Sequence, residues 1–450
     1  MEFRVLFDHG TRKIEINSNV SDAPSVNSLE SIVDRVQRSQ ETLTALSIDD
    51  IIGLCDAVAQ SWSRSNHPLA PLIRELSLGF IPLWMRRSNL ESLCDLSLNG
   101  NRFALDRFIS LSEQHETRLF RCQPRGLIVH WIAGNVPVLG MISLIQGILG
   151  KNATIVKASR HDAGLLPALL DSFKDVTYIS RSGQKISADI LTNSVAVIYS
   201  EKDDIEAARY LSTIADVRVA WGGREAVESI MNLPRRFGTE DIIFGPKVSF
   251  IVVGIEYLCN EASARQLAKN IVKDVSAFDQ RGCNSPHTVF VEKGGLIKPN
   301  EFTRIVAEEM DFALANRSLH EVQPGDTMNI LGVRAEYDMR GDAYYSNGMG
   351  WTVVYSGDDK GLATPCYLRT LFVRPVNDIF DVVSLCSINT QTAGLAVKDR
   401  HIRLADALTQ KGIERCPVVG GMSLYASPWD GMFPVSRMVR WVSTTVDPNR

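Results

Sequence analysis

The chain has 450 residues, 45% of them hydrophobic and 22% charged, which is enough apolar surface for a large core and enough length for about two or three domains. A formal net charge of -4 with no basic tail or stripe argues against nucleic acid as a partner. No apolar run approaches the roughly 18 to 20 residues of a membrane-spanning helix, and the N-terminal MEFRVLFDHGTRK lacks the apolar core of a signal peptide, so a cytoplasmic protein with no membrane span is expected.

Residues 28–112 read mainly as helices, with apolar positions at Ile32, Val36, Leu43 and Leu46 and then at Ile51, Leu54, Ala57 and Val58. From Gly126 the pattern changes to alternating strand and helix: strand 127–132, helix 138–149, strand 154–157, helix 164–173. Strand 195–199, helix 205–215, strand 217–221 and a helix opening near Gly223 continue it. A strand at 248–253 begins a second alternating block with helices at 262–276 and 301–314, so the natural division is into two α/β domains with parallel sheets. The stretches 341–350 and 356–364 read as loops, and 419–436 as an irregular segment before the strand-like 438–442. Eight cysteines with no CxxC pair and no close Cys/His cluster are expected as reduced thiols, in neither a disulfide framework nor a zinc site.

Residues 278–286, FDQRGCNSP, place Cys283 between glycine and asparagine, after an amphipathic helix and before the strand Thr288, Val289, Phe290, Val291. Cys55 and Cys386 lie within apolar runs, as structural cysteines do. Cys283 has small, polar flanks that let a carbonyl approach, so it is either a nucleophile or a turn cysteine without a task. A second constellation is 124–159, PRGLIVHWIAGNVPVLGMISLIQGILGKNATIVKAS, where one strand runs into a GNVP turn and another ends in Lys157 and Ser159. Asn135 at the turn either donates its amide to an oxyanion or caps the helix. Lys157 either meets a ribose or phosphate or is a solvated strand end. His130 and Trp131 read as packing residues, with His130 near enough to Asn135 to line a site. His287 need not meet Cys283, and Tyr344 and Tyr345 either anchor a loop or border an acyl tunnel.

Taken in order, the GNVP turn, the apolar helix, GKN, IVKAS, the WGG turn at 221–223, the GPK turn at 245–247 and the cysteine loop resemble the aldehyde dehydrogenase superfamily. The CNSP loop and the tail PWDGMFPVSRMVRWVS at 428–443 resemble its bacterial luminescence-type fatty acyl-CoA reductase branch, over roughly residues 119–443. The resemblance implies an aldehyde-dehydrogenase-like α/β fold of two doubly wound parallel-sheet domains, with a helical N-terminal lead-in and small oligomerisation extensions. The implied division is 1–250 for the lead-in and dinucleotide-binding domain, with an oligomerisation hairpin near 112–126; 251–425 for the catalytic domain; and 426–450 for an oligomerisation tail. It implies Cys283 as nucleophile, with its backbone N–H and the Asn135 amide as oxyanion hole. Lys157, Ser159, Arg160, Trp221, Gly222 and Gly223 would bind the cofactor.

Departures from the superfamily pattern refine the expectation. Enzymes of the superfamily that oxidise aldehydes to acids carry a glutamate before the turn at 244–247, where it activates water; here that position is Ile243, which cannot be a base, although Asp241 is near in sequence. An acyl-thioester protected from water would exchange acyl groups with a thiol such as coenzyme A and, with reduced cofactor, yield aldehyde. Arg160 stands where the superfamily often has a ribose-binding glutamate, which favours NADPH over NADH. The segment 369–375 lacks the glutamate that holds the nicotinamide ribose, leaving Arg369 and Thr370 as candidates there. The resemblance thus implies reduction of a fatty acyl-CoA or acyl-protein thioester to the aldehyde, with an acyl-protein synthetase as possible partner and a homo-oligomer as assembly. The alternatives are an aldehyde dehydrogenase forming acid and a catalytically silent structural homologue.

Overall fold

Runs of β-branched and aromatic residues with no polar alternation make strands that must be covered on both faces. The protein, a computed structural model, is described at residues 2–9, 20–76, 78–111, 117–132, 134, 139–160, 164–315, 317, 319 and 322–446. Its chain divides into two compact units, 1–245 with 426–450, and 246–425. In the first unit the strands are β1 (Phe3–Asp8), β2 (Ser25–Val26), β3 (Arg118–Pro124), β4 (Leu127–Trp131), β5 (Ala153–Lys157), β6 (Thr177–Ile179), β7 (Lys185–Ser187), β8 (Val195–Tyr199), β9 (Val217–Trp221) and β10 (Glu240–Phe244). The second unit holds β11 (Val248–Val253), β12 (Pro286–Glu292), β13 (Ala343–Tyr345), β14 (Thr352–Tyr355), β15 (Thr370–Val376) and β16 (Thr390–Ala396), after which β17 (Val439–Thr445) belongs again to the first.

The first unit is built on a seven-stranded sheet in the order β10-β9-β4-β5-β8-β1-β2. The strands from β10 to β8 are parallel, and β1 and β2 complete the edge antiparallel. One sheet face buries Leu127, Val129, Ala153, Ile155, Ala196 and Ile198 against apolar positions of helices Glu30–Ala45, Ile205–Ile214 and Arg224–Met231. Each of the Leu, Val and Ile side chains, fully buried, stabilises the fold by about 1.5–3 kcal/mol. The helices expected in the lead-in are present as Glu30–Ala45, Ile48–Trp62, Ala70–Glu75, Phe80–Trp84 and Arg87–Ser97. Ser47 starts the second of them by accepting a hydrogen bond from the Asp50 N–H. The strand β1 that precedes them falls outside the sequence reading. Its partner β8 lies far along the chain, so no local signal marks it.

The second unit carries a six-stranded sheet, β13-β14-β15-β12-β11-β16, parallel except for β13. Alternation along β11 sends Ile251 and Val253 to the face covered by helices Glu261–Ser276 and Pro299–Leu314, and Phe250 and Val252 to the face covered by Ile379, Val382, Leu404 and Leu408. Two parallel sheets, each wound with helices, are the α/β architecture that the alternation predicts. One local correction concerns 341–350, read as loop: Ala343–Tyr345 is a strand because it pairs antiparallel with β14. Among the described residues no helix is long and apolar enough to cross a membrane, and no group of three His, Cys, Asp or Glu could hold a metal ion.

Candidate active site

In the first unit the chain builds β4, β5 and β8 outward in one direction, then returns to set β9 on the other side of β4. That reversal makes the carboxyl ends of β4 and β9 a topological switch point, the place where open parallel sheets take ligands. Trp221 ends β9, and its ring stacks on Phe244 at the end of β10, with centroids 3.7 Å apart and planes at 18°. Its indole Nε1 donates to the Ser143 hydroxyl at 3.2 Å, and Ser143 Oγ lies 2.7 Å from His130 Nδ1. The Ser143 oxygen accepts from Trp221 and also meets His130 Nδ1, so one hydroxyl ties the indole to the imidazole. Burial depresses the His130 pKa to about 3, so this ring is a fixed prop for Trp221 and no proton carrier at neutral pH.

Gly222 follows, its N–H on the Phe244 carbonyl at 3.2 Å; a Cβ there would lie 3.2 Å from the Ala226 Cβ, so a side chain would crowd the turn. Gly223 is the N-cap of helix Arg224–Met231, whose first N–H groups point out of the helix start. Trp221, Gly222 and Gly223 therefore form one turn at the switch point. Asn135 lies outside the described residues.

Lys157 and Arg160 sit at the end of β5, two strands from β9. Burial lowers the Lys157 pKa, opposed by the charge of Glu201, and its Nζ stands 5.6 Å from the ring centroid of Tyr199. Arg160 reaches the same ring, donates to the Tyr199 hydroxyl at 3.4 Å and to Glu201 Oε1 at 2.7 Å, while Tyr199 donates to Glu201 Oε2 at 2.7 Å. The hydrogen bond from Tyr199, with Arg160 adding to it, holds the Glu201 carboxyl below its ordinary range. Arg160, Tyr199 and Glu201 border a cavity of about 560 Å³ that Arg4 and Asp204 also line, a size within the usual range for small-molecule sites. Ser159 stands between Lys157 and Arg160 in the chain. Tyr199 and Glu201 were missed in the sequence, although the strand-end argument that selected Lys157 applies equally to the end of β8.

In the second unit the cysteine loop joins helix Glu261–Ser276 to β12 at the amino edge of the sheet. Cys283 is partly exposed. Its carbonyl accepts from the Ser249 hydroxyl at 2.7 Å, and the next residue, Asn284, donates to the Met422 carbonyl at 2.7 Å. No disulfide joins any of the eight cysteines, all of them described residues. Cys55, Cys386 and Cys416 have pKa values raised by burial to about 12, 11 and 12, which keeps those thiols protonated and inert. His287 lies buried, edge-on to Tyr367 with centroids 5.7 Å apart; its Nδ1 has no hydrogen-bond partner among the described residues, and burial lowers its pKa to about 4.

The chain enters the cysteine loop through left-handed backbone at Phe278, Asp279 and Gln280, with φ of 50°, 50° and 66°. Each such non-glycine residue is disfavoured by about 1–2 kcal/mol, so surrounding bonds must hold the turn. Arg369, a candidate nicotinamide contact from the sequence, is one of those bonds: it is 2% exposed and grips Asp279 Oδ1 through Nε at 3.0 Å and Nη2 at 2.6 Å. Thr370 is wholly buried. Ile243, at the position where water-activating relatives of the fold carry glutamate, lies partly buried in β10. Asp241 receives Arg218 on both carboxylate oxygens, at 2.6 and 2.7 Å, and also pairs with Arg235. A carboxylate so occupied is a poor general base.

The sequence model described as acyl-CoA reductase (LuxC) matches residues 43–441. Among curated proteins, a long-chain acyl-protein thioester reductase of Photobacterium leiognathi is 25% identical, with 97% of this chain and 90% of that protein covered. One of Aliivibrio fischeri is 26% identical over 88% of this chain and 82% of that protein. Among solved structures, an NADP-dependent glyceraldehyde-3-phosphate dehydrogenase from Bacillus halodurans superposes with a TM-score of 0.61 at 15% identity, covering 94% of this chain and 93% of that one. A benzaldehyde dehydrogenase from Corynebacterium glutamicum gives 0.56 at 13% identity, covering 99% and 98%. These likenesses establish an aldehyde-dehydrogenase-like fold, and the family match, which runs through both sheets and the cysteine loop, establishes that the chain belongs to the acyl-CoA reductase (LuxC) family.

Proposed function

We propose that this protein reduces a fatty acyl thioester, presented as acyl-CoA or on an acyl-protein, to the aldehyde through an acyl-Cys283 intermediate. The observation that carries the reading is the pairing of a partly exposed thiol on a braced loop with the absence of a usable base at 241–243. The Cys283 thiolate attacks the thioester carbonyl carbon, the carbon–sulfur bond to the donor breaks, and the donor leaves as a thiol. The Cys283 N–H and the Asn135 amide hold the oxyanion in this reading. With water unactivated by Ile243, the acyl group stays on sulfur until reduction. Hydride adds to the carbonyl carbon and the Cys283–carbon bond breaks, releasing aldehyde and regenerating thiolate.

NADPH supplies that hydride when bound. The switch point at β4 and β9 and the Arg160-lined cavity at the end of β8 support a dinucleotide site: Trp221, Gly222 and Gly223 would take the pyrophosphate or nicotinamide side, and Lys157, Ser159 and Arg160 the adenosine ribose. Arg160 would exchange its hold on Glu201 for the 2′-phosphate, which is the basis for NADPH over NADH. In this reading residues 1–250 bind the dinucleotide and 251–425 carry the thiol. The segments near 112–126 and 426–450, which supply β3 and β17 to one antiparallel ribbon, would support a homo-oligomer. The names of the relatives support an acyl-protein donor and thereby a synthetase partner, and reduced thiols support a cytoplasmic setting.

The test is loss of NADPH absorbance with acyl-CoA substrates of graded chain length, with the aldehyde trapped. Turnover is expected in the wild type and absent in Cys283→Ala. Acid formation from aldehyde and oxidised cofactor, with no reduction of any acyl-CoA, would refute the reading.

A further inference from the structure

Two runs of strained backbone face each other beside Cys283. Phe278, Asp279 and Gln280 hold left-handed φ, and so do Tyr367, Leu368 and Arg369, at 59°, 47° and 60°. None is a glycine, so neither turn persists by its own preference. They hold each other. Arg369 clamps Asp279 Oδ1 with two donors, and both side chains are 2% exposed. The Leu368 N–H donates to the Asp279 carbonyl at 3.1 Å. Gln280, 0% exposed, gives its amide hydrogens to the Pro286 and Thr370 carbonyls, each at 2.7 Å, and accepts the Thr370 N–H at 2.8 Å. Only Arg281 and Gly282 separate this knot from Cys283.

We infer that the Asp279–Arg369 pair is a positioning device for the nucleophile, fixing the direction in which the Cys283 thiol leaves its loop. The inference rests on the reading of Cys283 as the acyl acceptor. Gln280 bridges the entry to the loop and the start of β12 through Pro286, so Cys283 is spanned on both sides from one side chain. On the far side Ser249 holds the Cys283 carbonyl and Asn284 is tied to Met422. A charge pair this buried has little freedom to lengthen: removing one partner leaves the other desolvated and releases the turn to relax toward ordinary φ. A displacement of about 1 Å at a reacting atom slows a positioned step by on the order of 10²-fold.

The experiment compares wild type, Asp279→Asn, Arg369→Lys and the double variant Asp279→Asn/Arg369→Gln, with Cys283→Ala as control. Each is followed by single-turnover transfer of the acyl group from acyl-CoA, by kcat and KM, and by alkylation of Cys283 with iodoacetamide, a small reagent that needs no set approach. Expected are acyl transfer and kcat reduced on the order of 10²-fold, KM within about twofold, and alkylation within about threefold of wild type. The double variant buries no lone charge and keeps the test available if a single variant does not fold. Folded variants with wild-type acyl transfer would overturn the inference, as would alkylation falling in step with transfer. If Cys283→Ala still turns over, the reading of the nucleophile fails instead, a result distinct from either.

Discussion

At the scale of single residues, the proposed cofactor end of the first unit holds an exposed competition. In the proposed reading Arg160 would meet a 2′-phosphate, yet Glu201 and Tyr199 engage it. Removing the carboxylate charge while keeping its shape leaves Arg160 with its fork available. Glu201→Gln is therefore expected to lower the KM for NADPH by up to about fivefold, the scale of an exposed ion pair, with that for NADH nearly unchanged. Steady-state kinetics with both cofactors check this, and an equal change for the two would refute a contact to the phosphate. Trp221 shows the opposite kind of residue. Its indole is buried, stacked and hydrogen-bonded to Ser143, so it is fixed in place at the end of β9.

At the scale of elements, the segment 420–422 supports the cysteine loop from behind. Asp274, on helix Glu261–Ser276, accepts the Gly420 N–H at 2.5 Å and the Met422 N–H at 3.0 Å, and the Met422 carbonyl in turn receives Asn284. Asp274→Ala leaves two N–H groups without their acceptor. A loss of about 1–3 kcal/mol per buried group is expected, together with a fall in kcat because Asn284 adjoins Cys283. Urea unfolding and kinetics measure the two effects; an unchanged kcat would show that the segment does not steer the loop. How elements meet also explains what was legible. Strands at 195–199, 217–221 and 248–253 are found with the bounds the pattern gives, because each is a short buried run between turn residues. β1 and β13 are not, because each depends on a partner strand and has no sharp local pattern.

At the scale of the whole molecule, buried histidines set the response to acid. His130 in the first unit, at about 3, and His287 in the second, at about 4, are both depressed by burial, and His67 in the first unit is lowered by the same cause. For each, the unfolded chain takes up protons first. The stability they contribute is therefore present above the ordinary histidine pKa and lost as the pH falls through it, at up to about 1.4 kcal/mol per pH unit and group. Asp274, in the second unit, runs the other way. Burial outweighs its hydrogen bonds and raises it to about 6, so its contribution is full below the ordinary carboxyl range and is lost as the pH rises through about 6. Between pH 7 and 5 the first unit should therefore weaken more than the second. Amide exchange in β4, β5 and β8 against β11, β12 and β15, corrected for intrinsic pH dependence, measures this; equal weakening of both units would refute it.

The sequence by itself determined the α/β class, the parallel alternation and the reading of the family, and it singled out Cys283 among eight cysteines as the proposed nucleophile. It could do so because period, turn residues and apolar runs are local properties, and because a cysteine's flanks are written beside it. The tertiary structure decided what each polar group touches. It occupied Asp241 with Arg218 and Arg235, gave Arg160 a partner in Glu201, and set Arg369, a candidate nicotinamide contact in the sequence, to grip Asp279. Those pairings join residues far apart in the chain, and a buried charge takes the partner that the packed backbone brings to it, which no local pattern specifies.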